Sequence, residues 1–331
     1  MPSFLTTTVT TVLSERPGLQ RIELESGRRA YVLTALIGPV GVGDRVVVNT
    51  TAVDLGLGTG GWDVVHWNLS RESWSGPGGG HVMKLRYTSL QVDTGVTEEG
   101  GGALPADLGG MPVVACDLHS QVACVAAGFR HGAPGRRLVY LMTDSAALPL
   151  ALSDLVADLR GEEWLAATVT CGQAFGGDHE AVNVHSGLQV ARAAAQADAV
   201  VVGPGPGVVG TGTPLGFSGL EVAGVIDAAA YLGGRPVVAV RCSGADPRSR
   251  HRGISHHTRA SVQVAAHVPM VAVPSGAGPR PPGLAELGEV VEVDVPPGLH
   301  GGVTTMGRDP ADDPEFFLYS AAAGVLVARL V

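Results

Sequence analysis

The residues able to do chemistry concentrate in two stretches. The first, RCSGADPRSRHRGISHHT at residues 241–258, holds four arginines, three histidines and one aspartate. In a chain of formal net charge −9, such a positive block calls for a small anionic ligand. Arg248, Arg250 and Arg252 alternate, and in extended backbone they would face one side. Ser255 reads as a helix N-cap, with His256 and His257 in the first turn. A helix N-terminus disfavours imidazolium, and a neutral imidazole can act as a base, an electrophile or a metal ligand. The plainer alternative is an exposed basic loop with capping histidines.

The second stretch is the loop of residues 203–217 between a buried strand and a helix. Gly205-Pro-Gly207-Val-Val-Gly210 satisfies G-x-G-x-x-G. Classical NAD binding is disfavoured, because that fingerprint needs the helix to open inside the motif and an acidic residue to end the next strand. Here the helix is expected to open only at Ser218, with Glu221 completing a capping box. No Gly-Lys-Ser/Thr follows, which excludes a Walker loop. The remaining chemistry is anion binding by the loop amides at Gly205, Gly207, Gly210 and Gly212 with the Thr211 and Thr213 hydroxyls. A glycine-rich packing turn is the plain alternative.

Asp117 and His119 follow another strand and join His256 and His257 as candidate catalytic groups. Together with His251 they are also the donors a divalent metal cofactor would take, although no compact H-E-x-x-H spacing supports a metal. Cys171 and Cys242 end strands and are read as packing thiols or reactive ones. Asp178 is expected to cap a helix opening at 181, and Asp144 or Ser145 the helix before it. No G-x-S-x-G elbow occurs.

The elements that must position these groups form two domains. Residues 1–95 read as short β-branched strands separated by Pro17-Gly18, Ser26-Gly27 and Gly43-Asp44 turns. That is a small β-barrel or OB-like domain, with HVMKLRYTSL (81–90) among its strands. Its glycine-rich stretches at 49–65 and 75–87 are read as surface loops, with a flexible lid over a neighbouring site as the alternative. Residues 96–111 are expected to be a linker. Residues 112–331 alternate strands (112–116, 138–143, 166–171, 198–203, 236–241, 269–273, 290–294) with helices (near 120–129, 147–160, 181–196, 218–232, 255–267, 282–287, 314–330). This pattern argues for a Rossmann-like, mainly parallel, doubly wound sheet. Ligands of such sheets bind beyond the carboxyl ends of the strands, where all the candidate groups fall.

The bulk numbers narrow the classes. The acidic balance disfavours nucleic acid. Lys84 is the sole lysine, so no mechanism can use a lysine in the second half. No 18-residue apolar span and no leading basic-plus-apolar segment occurs, so the expectation is a cytoplasmic protein that does not enter the membrane. The β domain is a candidate for homo-oligomerisation.

Five stretches carry a resemblance: GHVMKLRYTSLQ, YLMTDSAALPLALSDLV, QAFGGDHEAVNVHSGL, GPGPGVVGTGTPLGFSGLE and RHRGISHHT. In these the chain resembles the bacterial domain-of-unknown-function family 3866, over nearly its whole length. The resemblance implies no activity or ligand. Two functional readings therefore stand side by side. One is an enzyme acting on a small anionic, phosphorylated or nucleotide-like substrate, with the glycine loop, Arg248, Arg250, Arg252 and Ser255 as ligand contacts. The other is a non-catalytic metabolite sensor or scaffold.

Overall fold

The computed structural model describes residues 1–76, 78–276 and 280–331. The chain forms two units, Met1–Gly95 and Val96–Val331.

In the first unit, β1 (Phe4–Arg16), β2 (Leu19–Leu24), β3 (Arg29–Leu33), β4 (Arg45–Asn49) and β5 (Trp62–Asn68) close a barrel in the order β1-β2-β3-β5-β4. Two single-turn helices, α1 (Thr34–Ile37) and α2 (Thr51–Asp54), lie in the β3–β4 and β4–β5 connections, and β3 pairs β5 in parallel. Period-2 alternation turns Val9, Ile22, Leu24, Val32, Val46 and Val65 into one interior cluster. The strand expected over 81–90 shrinks to β6 (Met83–Lys84), paired with β7 (Val92–Asp93). Leu85 and Tyr87 adopt positive φ, which a strand cannot continue through. The glycine-rich stretch at 49–65 carries α2 and the start of β5; in the stretch at 75–87, Pro77 lies outside the described residues.

The second unit is a doubly wound sheet of eight parallel strands. These are β8 (Pro112–Cys116), β9 (Leu138–Thr143), β10 (Ala167–Thr170), β11 (His179–Glu180), β12 (Ala199–Pro204), β13 (Arg235–Ala239), β16 (Met270–Pro274) and β17 (Glu289–Val293). A separate antiparallel pair, β14 (Cys242–Ser243) and β15 (Gly253–Ile254), follows β13. The sheet order is β11-β10-β9-β12-β8-β13-β16-β17. The strands are apolar on both faces, as a covered parallel sheet requires. Val113, Leu141, Val200 and Val238 pack under α5 (Val184–Ala193), α6 (Val222–Tyr231) and α7 (His256–Val264). Val114, Tyr140, Val201 and Val237 pack under α3 (His119–Gly132), α4 (Asp154–Gly161) and α8 (Pro314–Leu330).

Three expected helix starts move. The capping box at Ser218 does not form. Ser218 Oγ accepts from the Val209 amide, Glu221 accepts from Thr143, and α6 opens at Val222 after a 3-10 turn. Asp178 caps nothing: it accepts from the amide and hydroxyl of Thr168, and Asn183 caps α5. Ser153, not Asp144 or Ser145, caps α4; Asp144 instead accepts from the Gln173 amide. No helix forms at 282–287, where Pro281, Pro282 and a positive-φ Gly283 break the run. Residues 96–111 belong to the second unit, with Leu108 and Met111 buried in its core.

The crossing of α3 and α8 is unusually close. A methyl group on Gly324 would lie 2.1 Å from the Val125 carbonyl oxygen, and one on Gly128 would lie 2.3 Å from that of Ala321. The two backbones touch, and this contact holds α3, whose first residue is His119, over the sheet.

Candidate functional site

β8 and β12 are neighbours, but their connections leave toward opposite faces, to α3 and to α6. Between such divergent loops an α/β sheet opens a crevice at its carboxyl edge. A cavity of about 690 Å³ lies there. His119, the loop at 206–210, Arg241, Arg248, Arg250, His251 and His257 line it, with Leu155, Asp158, Leu159 and Glu162 on the α4 side.

The long loop after β12 is a small hairpin. Val209 and Ser218 exchange hydrogen bonds, Gly210 bridges Phe217, and the Thr211 amide donates to the Gly216 carbonyl. The hydroxyls of Thr211 and Thr213 lie 2.9 Å apart and bind Gly216. They hold the hairpin tip and do not line the cavity. Neither do Gly205 and Gly212, which serve packing. A Cβ on Gly205 would come within 2.5 Å of the Ala147 carbonyl oxygen. Gly212, at φ +84°, leaves room for the Arg250 guanidinium. Gly207 and Gly210 do reach the cavity. The hairpin meets the arginine–histidine segment through Phe217, whose ring stacks on His257 at 3.8 Å and 1°.

The arginines do not form one row. Ser249–His251 is a 3-10 turn, so Arg252 diverges from Arg248 and Arg250 and donates to the Asp246 carbonyl. Buried Asp246 is the hub: Arg241, Arg248 and Arg308 all approach its carboxylate. Its burial disfavours the charge, but the Arg248 hydrogen bonds and the Arg248 and Arg241 charges win and hold its pKa well below the usual carboxylate range. Asp313 takes a second contact from Arg308. Three guanidinium groups thus share two carboxylates. Among the described residues Arg250 has no carboxylate partner, and its Nε donates to His251 Nε2. Arg250 is thus, among the described residues, the cavity-lining guanidinium with no ion pair, while Asp158 and Glu162 supply negative charge on the α4 side.

The three histidines of this segment pack ring against ring, with centroids 4.4–5.0 Å apart. Ser255 caps α7, as expected. Its Oγ accepts from the His257 amide at 3.2 Å and lies 2.8 Å from His251 Nδ1. Because Arg250 donates to His251 Nε2, the proton of neutral His251 sits on Nδ1. His257 Nδ1 accepts from Arg241 Nη1 at 3.4 Å, which leaves its Nε2–H as a donor. Burial first, then the charge of Arg241, draws the pKa of His251 and His257 down to about 3. His256 is lowered by the same burial and by Arg250. It does not line the cavity. Both its ring nitrogens are shielded from solvent and make no well-formed hydrogen bond, although the Arg250 backbone carbonyl stands near and partly opposes the lowering. Replacing Ser255 with alanine removes the cap and the partner of a buried imidazole. Together these should cost about 2–3 kcal/mol, read as a lower urea midpoint; an unchanged midpoint would contradict this role.

Asp117 lies beneath the floor. Its Oδ2 accepts from Thr258 at 2.6 Å, its Oδ1 is buried without a partner, and burial raises its pKa to about 6. His119 is a strut. Its Nδ1 donates to the Pro204 carbonyl at 2.9 Å, and its Nε2 accepts from Ser153 Oγ at 2.7 Å. It ties the start of α3 to the end of β12 and to the cap of α4, and burial lowers its pKa to about 4. All four cysteines are free and buried. Burial pushes the Cys242 thiol up to about 12, so the packing reading fits it better than the reactive one.

Sequence reasoning missed the wall formed by residues 301–306. There Met306 Sδ accepts from Arg248 at 3.1 Å and Arg241 at 3.6 Å, and Ser120 donates to Thr305. Gly301-Gly302 was the only local signal.

A family model described as "Protein of unknown function (DUF3866)" matches residues 29–324. The chain belongs to DUF3866. That match takes in the last three of the five barrel strands and all of the cleft of this DUF3866 chain. No curated protein matches it. Among its described residues, no helix is long and apolar enough to cross a membrane.

Proposed function

We propose that the cleft binds a small anion bearing phosphate or carboxylate groups, and that the protein is an enzyme acting on a phosphorylated or nucleotide-like substrate. The observation that carries this reading is the unshared guanidinium of Arg250 beside Arg241 and Arg248 at the edge of a doubly wound sheet. Arginine presents a planar fork matched to phosphate or carboxylate oxygens, and such charge-assisted bonds are strong. His257 adds an Nε2–H donor, polarised by the Arg241 bond at its other nitrogen, and the amides of Gly207, Val208 and Gly210 add further donors. Perturbed, partner-deficient groups gathered in one cleft are what an active site needs. Neutral His257 would act as an electrophile toward a substrate oxygen, as a neutral imidazole can.

One observation favours the sensor reading. Imidazoles with pKa values drawn down to about 3 are weak bases at neutral pH, and binding needs no proton transfer.

Calorimetric titration with inorganic pyrophosphate and a nucleoside diphosphate tests the site. Wild-type protein should bind at least one of them, and Arg250→Gln should weaken that binding about 10- to 100-fold, as loss of a charged hydrogen bond implies. No heat from either ligand, or equal affinity in the variant, would overturn the reading. Release of inorganic phosphate or another product during incubation would favour the enzyme; saturable binding without turnover would favour the sensor.

A further inference from the structure

Three histidines in mutual contact are more than anion binding requires. One ring nitrogen from each of His251, His256 and His257 can be chosen so that all three lie within 4.8 Å of one another. Metal–nitrogen bonds of about 2.1 Å at tetrahedral angles set such nitrogens roughly 3.4 Å apart, so small side-chain rotations would close the cluster on an ion.

We propose that His251, His256 and His257 form a divalent transition-metal site at the floor of the cleft, with its open coordination position toward the bound anion. The last clause rests on the anion-site reading; the metal site itself does not.

Two observations support it. His256 has both ring nitrogens buried and without a well-formed hydrogen bond, only the Arg250 backbone carbonyl standing near, an arrangement that costs free energy unless something else meets them. His251 has the outer contact expected of a metal ligand: Nδ1–H points to Ser255 Oγ at 2.8 Å, which fixes the ring and leaves Nε2 for the ion. The competing contacts are long, 3.3 Å from Arg250 to His251 and 3.4 Å from Arg241 to His257. Metal loading would release both guanidinium groups toward the cavity. His251 and His257 line that cavity, so an anion oxygen can complete the coordination and offset the dication among the arginines. Three imidazoles plus one exchangeable oxygen is an open, catalytic type of site.

The test uses the full-length chain, stripped with EDTA and titrated with Co²⁺. One ion per chain, with the visible absorption of four- or five-coordinate Co²⁺, is expected. His256→Ala and His251→Ala should each weaken uptake by about 100-fold or more, beyond the usual effect of losing an outer-shell contact. No uptake by wild-type protein, or undiminished uptake by folded variants, overturns the proposal. If the variants fail to fold, X-ray absorption of the Zn²⁺-loaded wild type decides: scattering from three imidazoles supports the site, and sulfur or oxygen-only ligation overturns it. Pyrophosphate titration in EDTA separates the two readings. Anion binding there, with no cobalt uptake, removes the metal alone; cobalt uptake with no anion response removes the anion site and leaves the metal.

Discussion

Lowering the pH from 7 to 5 is expected to remove about 3–4 kcal/mol of stability from the α/β unit. The cause is its set of buried neutral imidazoles. Burial draws His251 and His257 down to about 3 and His119 to about 4, and it lowers His256 as well. A histidine whose folded pKa is depressed leaves the unfolded chain binding the extra proton. Its contribution is fully present above the unfolded value, about 6.5, and is lost as the pH falls toward the folded value. Two carboxyls oppose this. Asp117, raised to about 6, holds a proton in the folded state that the unfolded chain would release, and Glu221, raised by burial, acts in the same direction. His251, His257 and His119 against Asp117 leave a net uptake of about two protons on unfolding, or roughly 2–3 kcal/mol per pH unit below 6.5. Urea melts in EDTA at pH 7.5, 6 and 5 should show the midpoint falling steeply. A midpoint that is flat or rising over this range would show that the imidazoles are not held neutral by the fold.

The second large effect lies away from the cleft. Gly324→Val is expected to destabilise the α/β unit by more than about 4 kcal/mol, beyond the ordinary range of single substitutions. The clash is with backbone: a Cβ there would meet the Val125 carbonyl oxygen at 2.1 Å and the Phe129 amide nitrogen at 2.9 Å. A flexible side chain could move aside, but the core of a neighbouring helix cannot. Even Gly324→Ala, which gains up to about 1 kcal/mol of helix propensity, should be net destabilising. Because α3 begins at His119, forced separation of α3 and α8 would also shift the His119 strut, and with it the cap of α4 and the end of β12. Thermal unfolding of Gly324→Ala, followed by circular dichroism, checks the claim. A melting temperature at or above that of the wild type would contradict the tight crossing.

The layered fold was legible because buried parallel strands such as Val200-Val201-Val202 are apolar on both faces and are punctuated by glycine and polar residues. The barrel was legible from alternation and turn residues. Capping was less so. Ser218 has the right spacing to Glu221, but the hairpin from Val209 claims its hydroxyl and Thr143 claims the carboxylate. A cap signal is local; these competitors come from 9 and 78 positions away. The pairing of the glycine loop with the arginine–histidine segment was readable, since both follow strands beside β8. Which residues of each face the cavity was not. Thr211 and Thr213 look like anion donors and instead tie the hairpin tip, and Arg252 turns away because three residues wind into a 3-10 turn. The wall at 301–306 and the Arg308–Asp246 contact come from a remote connection with no chemical motif, so only the folded chain brings them in.

The central claim is that an oxyanion binds where the loop at 206–210 faces Arg241, Arg248 and Arg250. Crystals grown with tungstate, an electron-dense phosphate analogue, test it most directly. A tungsten peak is expected inside the cavity, within hydrogen-bond reach of Arg250 and of His257 Nε2, and it should be lost in Arg250→Gln crystals. An empty cavity with tungsten bound elsewhere, or an unchanged peak in the variant, would contradict it.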